Sequence, residues 1–189
     1  MNKLIFPLLL LLASNAYAKV EVAFIEIVDA SGKNVQFEEY GRFGHVAVSY
    51  QGKWLHAHPV RGVELVDNLN EIGFVGAILE SEDYEEPTED FVAENKGRPF
   101  SYKEPWSSTS STYCAKLVAQ IYGILPETMT FSAKAWKDTA DLPRGELGLS
   151  ADDLFSKFYA LGFTHKSGSC EAALKPSATQ LQNMKSKFY

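Results

Sequence analysis

The chain has 189 residues, 46% of them hydrophobic, with a formal net charge of −6 and two cysteines. That length suits one domain with a real hydrophobic core, and a negative balance without a basic patch argues against a nucleic acid partner, whose phosphates it would repel. No segment beyond the N-terminus has the roughly 18 uninterrupted apolar residues of a membrane-spanning helix, so no transmembrane segment is expected.

Residues 1–18 read as an export signal: Lys3 is the positive end, Leu4 to Leu12 the apolar stretch, and Ala16-Tyr17-Ala18 the small-residue cleavage site. The mature chain then runs over 19–189 as a single domain, and loss of Lys3 takes the charge from −6 to −7. No cysteine follows the cut, so no lipid anchor is expected, and the reading is a soluble periplasmic or secreted monomer.

Val20 to Val28 alternates as a strand and ends in the turn chemistry of Asp29 to Gly32. Gly44 to Tyr50 and Lys53 to His58 flank Gln51-Gly52, which predicts a hairpin. A two-residue loop sets Ala47 opposite His56 and His45 opposite His58, so three imidazoles share one face. Val63 to Val66 and Ile72 to Leu79 are further strands of an antiparallel sheet. Pro87 is placed as the first residue of a short helix through about Asn95, in a carboxylate-rich stretch read as a solvated face. A serine-rich loop with several possible caps precedes a helix from about Thr112 to Tyr122, and later helices are expected from Ser150 to Leu161 and after Pro176, where Leu181, Met184 and Phe188 line one side. The fold class is α+β.

Cys114 opens the Thr112 helix on the stripe of Leu117, Val118 and Ile121. A buried cysteine on such a stripe is inert packing. A thiol in a first turn has another use, because helix amides and a neighbouring imidazole favour the thiolate, the nucleophilic form. His45 then serves as general base, and a third polar group, His56 or His58, holds its ring. On this reading a first-turn thiol adds little packing, and Cys114→Ala leaves stability nearly unchanged. Two rivals use the same residues: zinc held by His45, His56, His58 and Cys114, and a disulfide from Cys114 to Cys170 in an inert module. Trp54, Trp106, Tyr102 and Tyr113 are read as packing, and His165 as exposed in a loop.

Gly44-His45-Val46, His56-Ala57, Gly62-Val63, Pro99-Phe100-Ser101-Tyr102 and Tyr113-Cys114 with Leu117-Val118 occur in that order between Phe43 and Tyr122. This series resembles the circularly permuted, NlpC-like branch of the papain-fold cysteine hydrolases, called YiiX/YebB-like. The resemblance implies a papain-like fold with Cys114 as nucleophile, His45 as base and His56 as orienting residue, where the branch often has a carboxylate. It also implies amide hydrolysis without a cofactor, on peptidoglycan peptides in exported members. Relatives such as lecithin:retinol acyltransferase imply lipid or protein acyl chemistry as the alternative.

Overall fold

The computed structural model describes residues 19–28, 32–35, 37–38, 41–129 and 146–166. The export signal, Cys170 and the helix expected after Pro176 lie outside the described residues.

In chain order the strands are β1 (Val20–Val28), β2 (Asn34–Val35), β3 (His45–Tyr50), β4 (Lys53–His58), β5 (Gly62–Val66) and, after a 3-10 turn at Leu69–Glu71, β6 (Phe74–Ser81). Then come α1 (Glu89–Asn95), α2 (Cys114–Ile121), β7 (Glu127–Thr128), β8 (Leu147–Gly148), α3 (Ala151–Ala160) and β9 (Thr164–His165). The main sheet is antiparallel in the order β5-β4-β3-β1-β6-β9, with β2 paired to β1, and β7 pairs β8 apart from it. With helices packed on it the molecule is a mixed α+β domain. Among the described residues no helix is long and apolar enough to cross a membrane.

The β3–β4 hairpin turns as the sequence predicts. Gln51 and Gly52 have φ of 50° and 76°, the pair of left-handed residues that a two-residue loop needs to match strand twist. Register follows, with Tyr50 opposite Lys53 and Val48 opposite Leu55. The ladder ends there, short of the positions that would pair His45 with His58.

Strand alternation sorts the apolar residues onto two faces. Phe24, Val46, Val48, Leu55 and Ala57 join Cys114, Leu117, Val118, Leu154 and Phe158 in the larger cluster, under α2 and α3. Ala23, Ile25 and Ala47 face the other way, against Leu69 of the 3-10 turn and Ile72 just after it, with Trp54 packed beside them.

Helix ends depart from expectation. Thr88, not Pro87, sets the start of α1, its hydroxyl accepting from the Phe91 amide at 3.2 Å, because a side chain that satisfies a free helix amide defines the boundary better than a fixed φ. Ser150 caps α3 in a capping box with Asp153. His165 is not in a loop: it lies in β9 opposite Leu79, exposed, with its ring 5.4 Å from that of Tyr159.

Gly62 starts β5 with φ of 76°, and a Cβ there would meet the Arg98 carbonyl oxygen at 2.4 Å. The close approach lets Val63 donate to Arg98 O at 2.9 Å and accept from the Gly97 amide at 2.8 Å, which ties the loop before the cysteine helix to the sheet. Gly52 shares the φ of 76° but has open space around it. Gly62→Ala is therefore expected to cost at least about 2 kcal/mol and Gly52→Ala about 1 kcal/mol, measured by denaturant unfolding; equal losses would show that the Arg98 contact is unimportant.

Candidate active site

Three imidazoles come together on the sheet face opposite α2. Alternation on β4 turns His56 away from the Leu55 and Ala57 side, and His45 is buried beside it, with Nε2 of His45 3.0 Å from Nδ1 of His56. The bond runs diagonally across the hairpin, where the strands have left their ladder, and not to the directly opposite His58.

His58 has another task. Its Nδ1 accepts from the amides of Val60 and Arg61 at 3.0 and 3.1 Å, closing the turn between β4 and β5. An imidazole committed to two backbone donors is a turn cap, and that resolves the choice between His56 and His58 as partner of His45 in favour of His56.

The far nitrogen of His56 meets a residue the sequence reading did not single out. Glu64, directly opposite His56 on β5, brings Oε1 to 3.2 Å from Nε2. The contact is at ion-pair distance without full hydrogen-bond alignment. Arg61 holds the same carboxylate, Nε donating to Oε2 at 2.8 Å and Nη2 to Oε1.

Cys114 is a free thiol, 2% exposed, at the first position of α2. Helix α2 packs on β3 and β4. The backbone amides of Val46, Ala115 and Cys114 and the Tyr102 hydroxyl lie near enough to the sulfur to favour its anion, and Gly44 lines its pocket. The thiol thus lies near the backbone of β3 around His45, while alternation turns the His45 ring to the opposite face of the strand from Val46 and Cys114. Among the described residues no hydrogen bond joins the sulfur to the His45 ring, whose bonded partner is His56.

The cap of α2 differs from expectation. Tyr113 is the N-cap residue and makes no side-chain cap, although the preceding loop is rich in serine. Its hydroxyl instead accepts from the Leu149 amide at 3.1 Å. First-turn amides left without a side-chain acceptor are available to an anion. The serine-rich loop is ordered from inside by Lys116, 1% exposed, whose ammonium donates to the carbonyls of Pro105, Ser108 and Ser111 at 3.3, 2.7 and 3.5 Å.

The expectation that Cys114 contributes little packing is corrected: it belongs to the main core cluster. Tyr102 and Tyr113, read as packing, do pack, with ring centroids 4.8 Å apart, but Tyr102 also reaches the sulfur. Trp106 stacks edge-on near Tyr113, and Trp54 lies in the second core layer. Among the described residues no group of three or more His, Cys, Asp or Glu side chains is disposed to hold a metal ion, and the nitrogens of His45 and His56 that face each other are unavailable to one.

Burial dominates the electrostatics. It lowers His45 well below the ordinary imidazole value, with His56 and His58 adding to the shift. It brings His56 down to about 4 against the opposing pull of Glu64. It pushes the Cys114 thiol up to about 11, the amides and Tyr102 offsetting part of the cost. Near neutral pH both thiol and imidazoles are uncharged.

Comparison of the chain with family models, with curated proteins and with solved structures finds no match in any of the three. The resemblance therefore rests on its short motifs, and the chemistry on the residues themselves.

A depressed folded value means that the unfolded chain binds the proton more readily, so His56 contributes stability above its unfolded value of about 6.5 that is lost as pH falls towards 4. Thermal unfolding is expected to lose roughly 3 kcal/mol across that window, and His56→Gln to flatten the loss; an unchanged slope in the variant would contradict the assignment.

Proposed function

We propose that the protein is an exported thiol hydrolase of papain-like architecture that cleaves an amide bond through a thioester, with peptidoglycan peptides as its substrate class. What supports this reading is the buried His45–His56 bond of 3.0 Å on the strand whose next residue, Val46, has its amide near the Cys114 sulfur. The helix headed by Cys114 against an antiparallel sheet bearing the histidines is the arrangement that such architecture requires. Export rests on the leader-like residues 1–18, and the substrate class on the family resemblance.

His45 takes the proton from the Cys114 sulfur as the sulfur attacks the substrate carbonyl carbon. The tetrahedral oxyanion is met by the first-turn amides of α2. His45 returns the proton to the leaving nitrogen, the C–N bond breaks, and a thioester remains. Water, losing its proton to His45, then hydrolyses it and restores the thiol. His56 holds the His45 ring through the nitrogen not used in transfer. The pocket at the sulfur, between Phe37, Tyr102 and Leu149, has a volume of about 10 Å³, room for about one water and far below the 300 to 1,000 Å³ or so of a whole-ligand site; the body of the substrate lies outside it.

The direct test is incubation of the mature protein and its Cys114→Ser variant with purified peptidoglycan, with released fragments identified by mass. Wild type is expected to release peptide fragments and the variant none. An intact wall beside active ester cleavage would contradict amide chemistry and favour the acyl hydrolase reading. His56→Ala is expected to lower kcat/KM about a hundredfold and His58→Ala less than tenfold in folded protein, because only the first ring bonds His45; the reverse order would overturn the choice of His56.

With a base already neutral at rest, the acid limb of the kcat/KM profile should lie below the ordinary imidazole value of about 6.5, since His45 is lowered, and activity should hold through neutral pH. An acid limb at or above that value would contradict a buried neutral His45.

A further inference from the structure

The triad reading leaves two ring nitrogens and one carboxylate unexplained. His45 and His56 share a single hydrogen bond, so one ring donates and the other accepts, and neutral imidazoles can satisfy it in either direction. Only one direction leaves His45 useful. If His56 donates through Nδ1, its Nε2 is a bare lone pair, 3.2 Å from the Glu64 oxygen, on a side chain 1% exposed. Two acceptors facing one another where water does not reach is an unfavourable arrangement. If His56 instead carries its proton on Nε2, that proton lies within ion-pair reach of the carboxylate, at 3.2 Å between the heavy atoms, and Nδ1 is free to accept from His45.

We infer that Glu64 is a positioning residue which selects the tautomers of both rings: its carboxylate keeps a proton on Nε2 of His56, Nδ1 of His56 accepts Nε2–H of His45, and His45 is left with Nδ1 as its free lone pair. The inference rests on the hydrolase reading only for its use, since the tautomer pattern stands whether or not catalysis occurs.

The surroundings of Glu64 support this role. Burial pulls its carboxyl up, but the Arg61 hydrogen bond and the Arg61 charge, joined by His56 and His58 when these are protonated, outweigh it and keep the group below its ordinary value, so it stays anionic. Arg61 is presented by the turn that His58 caps, its amide on His58 Nδ1 and its guanidinium on Glu64. His58, Arg61 and Glu64 thus form one outer support, joined to His45 through the Glu64 contact with His56 and the His56–His45 hydrogen bond. This gives His58 a part without contact with His45. Carboxylates behind imidazoles commonly fix tautomers in this way.

The test is nitrogen-15 NMR of the histidine rings in full-length mature protein near pH 7, where two-bond nitrogen–proton correlations distinguish the tautomers, with assignment by His45→Gln and His56→Gln. Wild type is expected to show both rings protonated on Nε2. In Glu64→Leu, His56 is expected to move to the Nδ1–H form and His45 to follow, while Glu64→Gln, whose carbonyl oxygen still accepts, keeps the wild-type pattern. The kcat/KM is expected to fall ten- to a hundredfold in Glu64→Leu, with KM little changed, and to be largely retained in Glu64→Gln. An Nδ1–H His56 in wild type, or an unchanged pattern in folded Glu64→Leu, would overturn the inference. The wild-type spectrum decides alone if Glu64→Leu does not fold. The expected tautomers in a protein inert towards every amide and ester would refute the hydrolase reading and leave this inference standing.

Discussion

One hydrogen bond between two buried imidazoles, His45 to His56, is the constraint on which the site depends. Because neither ring reaches water, both are kept neutral, and a neutral ring has one donor and one acceptor nitrogen. The bond therefore fixes orientation and protonation together. The same desolvation pushes the Cys114 thiol up to about 11, so near neutral pH the thiol and the imidazoles are both uncharged. On the proposed hydrolase reading, proton transfer belongs to the chemical step, and the charge it creates is met by the first-turn amides of α2, which Tyr113 leaves without a side-chain cap.

The sheet makes this arrangement by ending a ladder early. Val48 pairs with Leu55 and pairing is not continued towards His45, which leaves the Val46 amide to the sulfur and lets the His45 ring turn diagonally to His56. Outside that opening the fold is tied down: Gly62 admits the Arg98 carbonyl, and Lys116 gathers three carbonyls of the loop before the cysteine helix. A lysine used in this way stands in for the missing polar cap of α2, holding the loop instead of the helix end.

Much of this was legible in the sequence. Alternation and the Gln51-Gly52 turn were enough for the β3–β4 register and for the common face of the histidines. The position of Cys114 at a helix start followed from the apolar stripe behind it. Glu64 was missed although its signal was present: carrying the hairpin reasoning through the Arg61-Gly62 turn sets His58 opposite Gly62 and hence His56 opposite Glu64. Lys116 was not legible, because a lysine that donates to carbonyls indoors has the same sequence signature as one in water. Nor were β7, β8 and β9, whose two residues each are too short for periodicity to register. The sequence pattern also did not show that the imidazoles and the thiol approach from opposite faces, since that depends on where a ladder stops.

The claim at the centre is that His45 removes the proton from Cys114. Its most direct measurement is the rate at which an activated ester, p-nitrophenyl acetate, acylates the protein near neutral pH, with the acetyl group located by peptide mass mapping in wild type and in His45→Gln. The account predicts a thioester on Cys114 that forms about a hundredfold more slowly in the variant. Equal rates in the two proteins, or an acetyl group on any other residue, would contradict it.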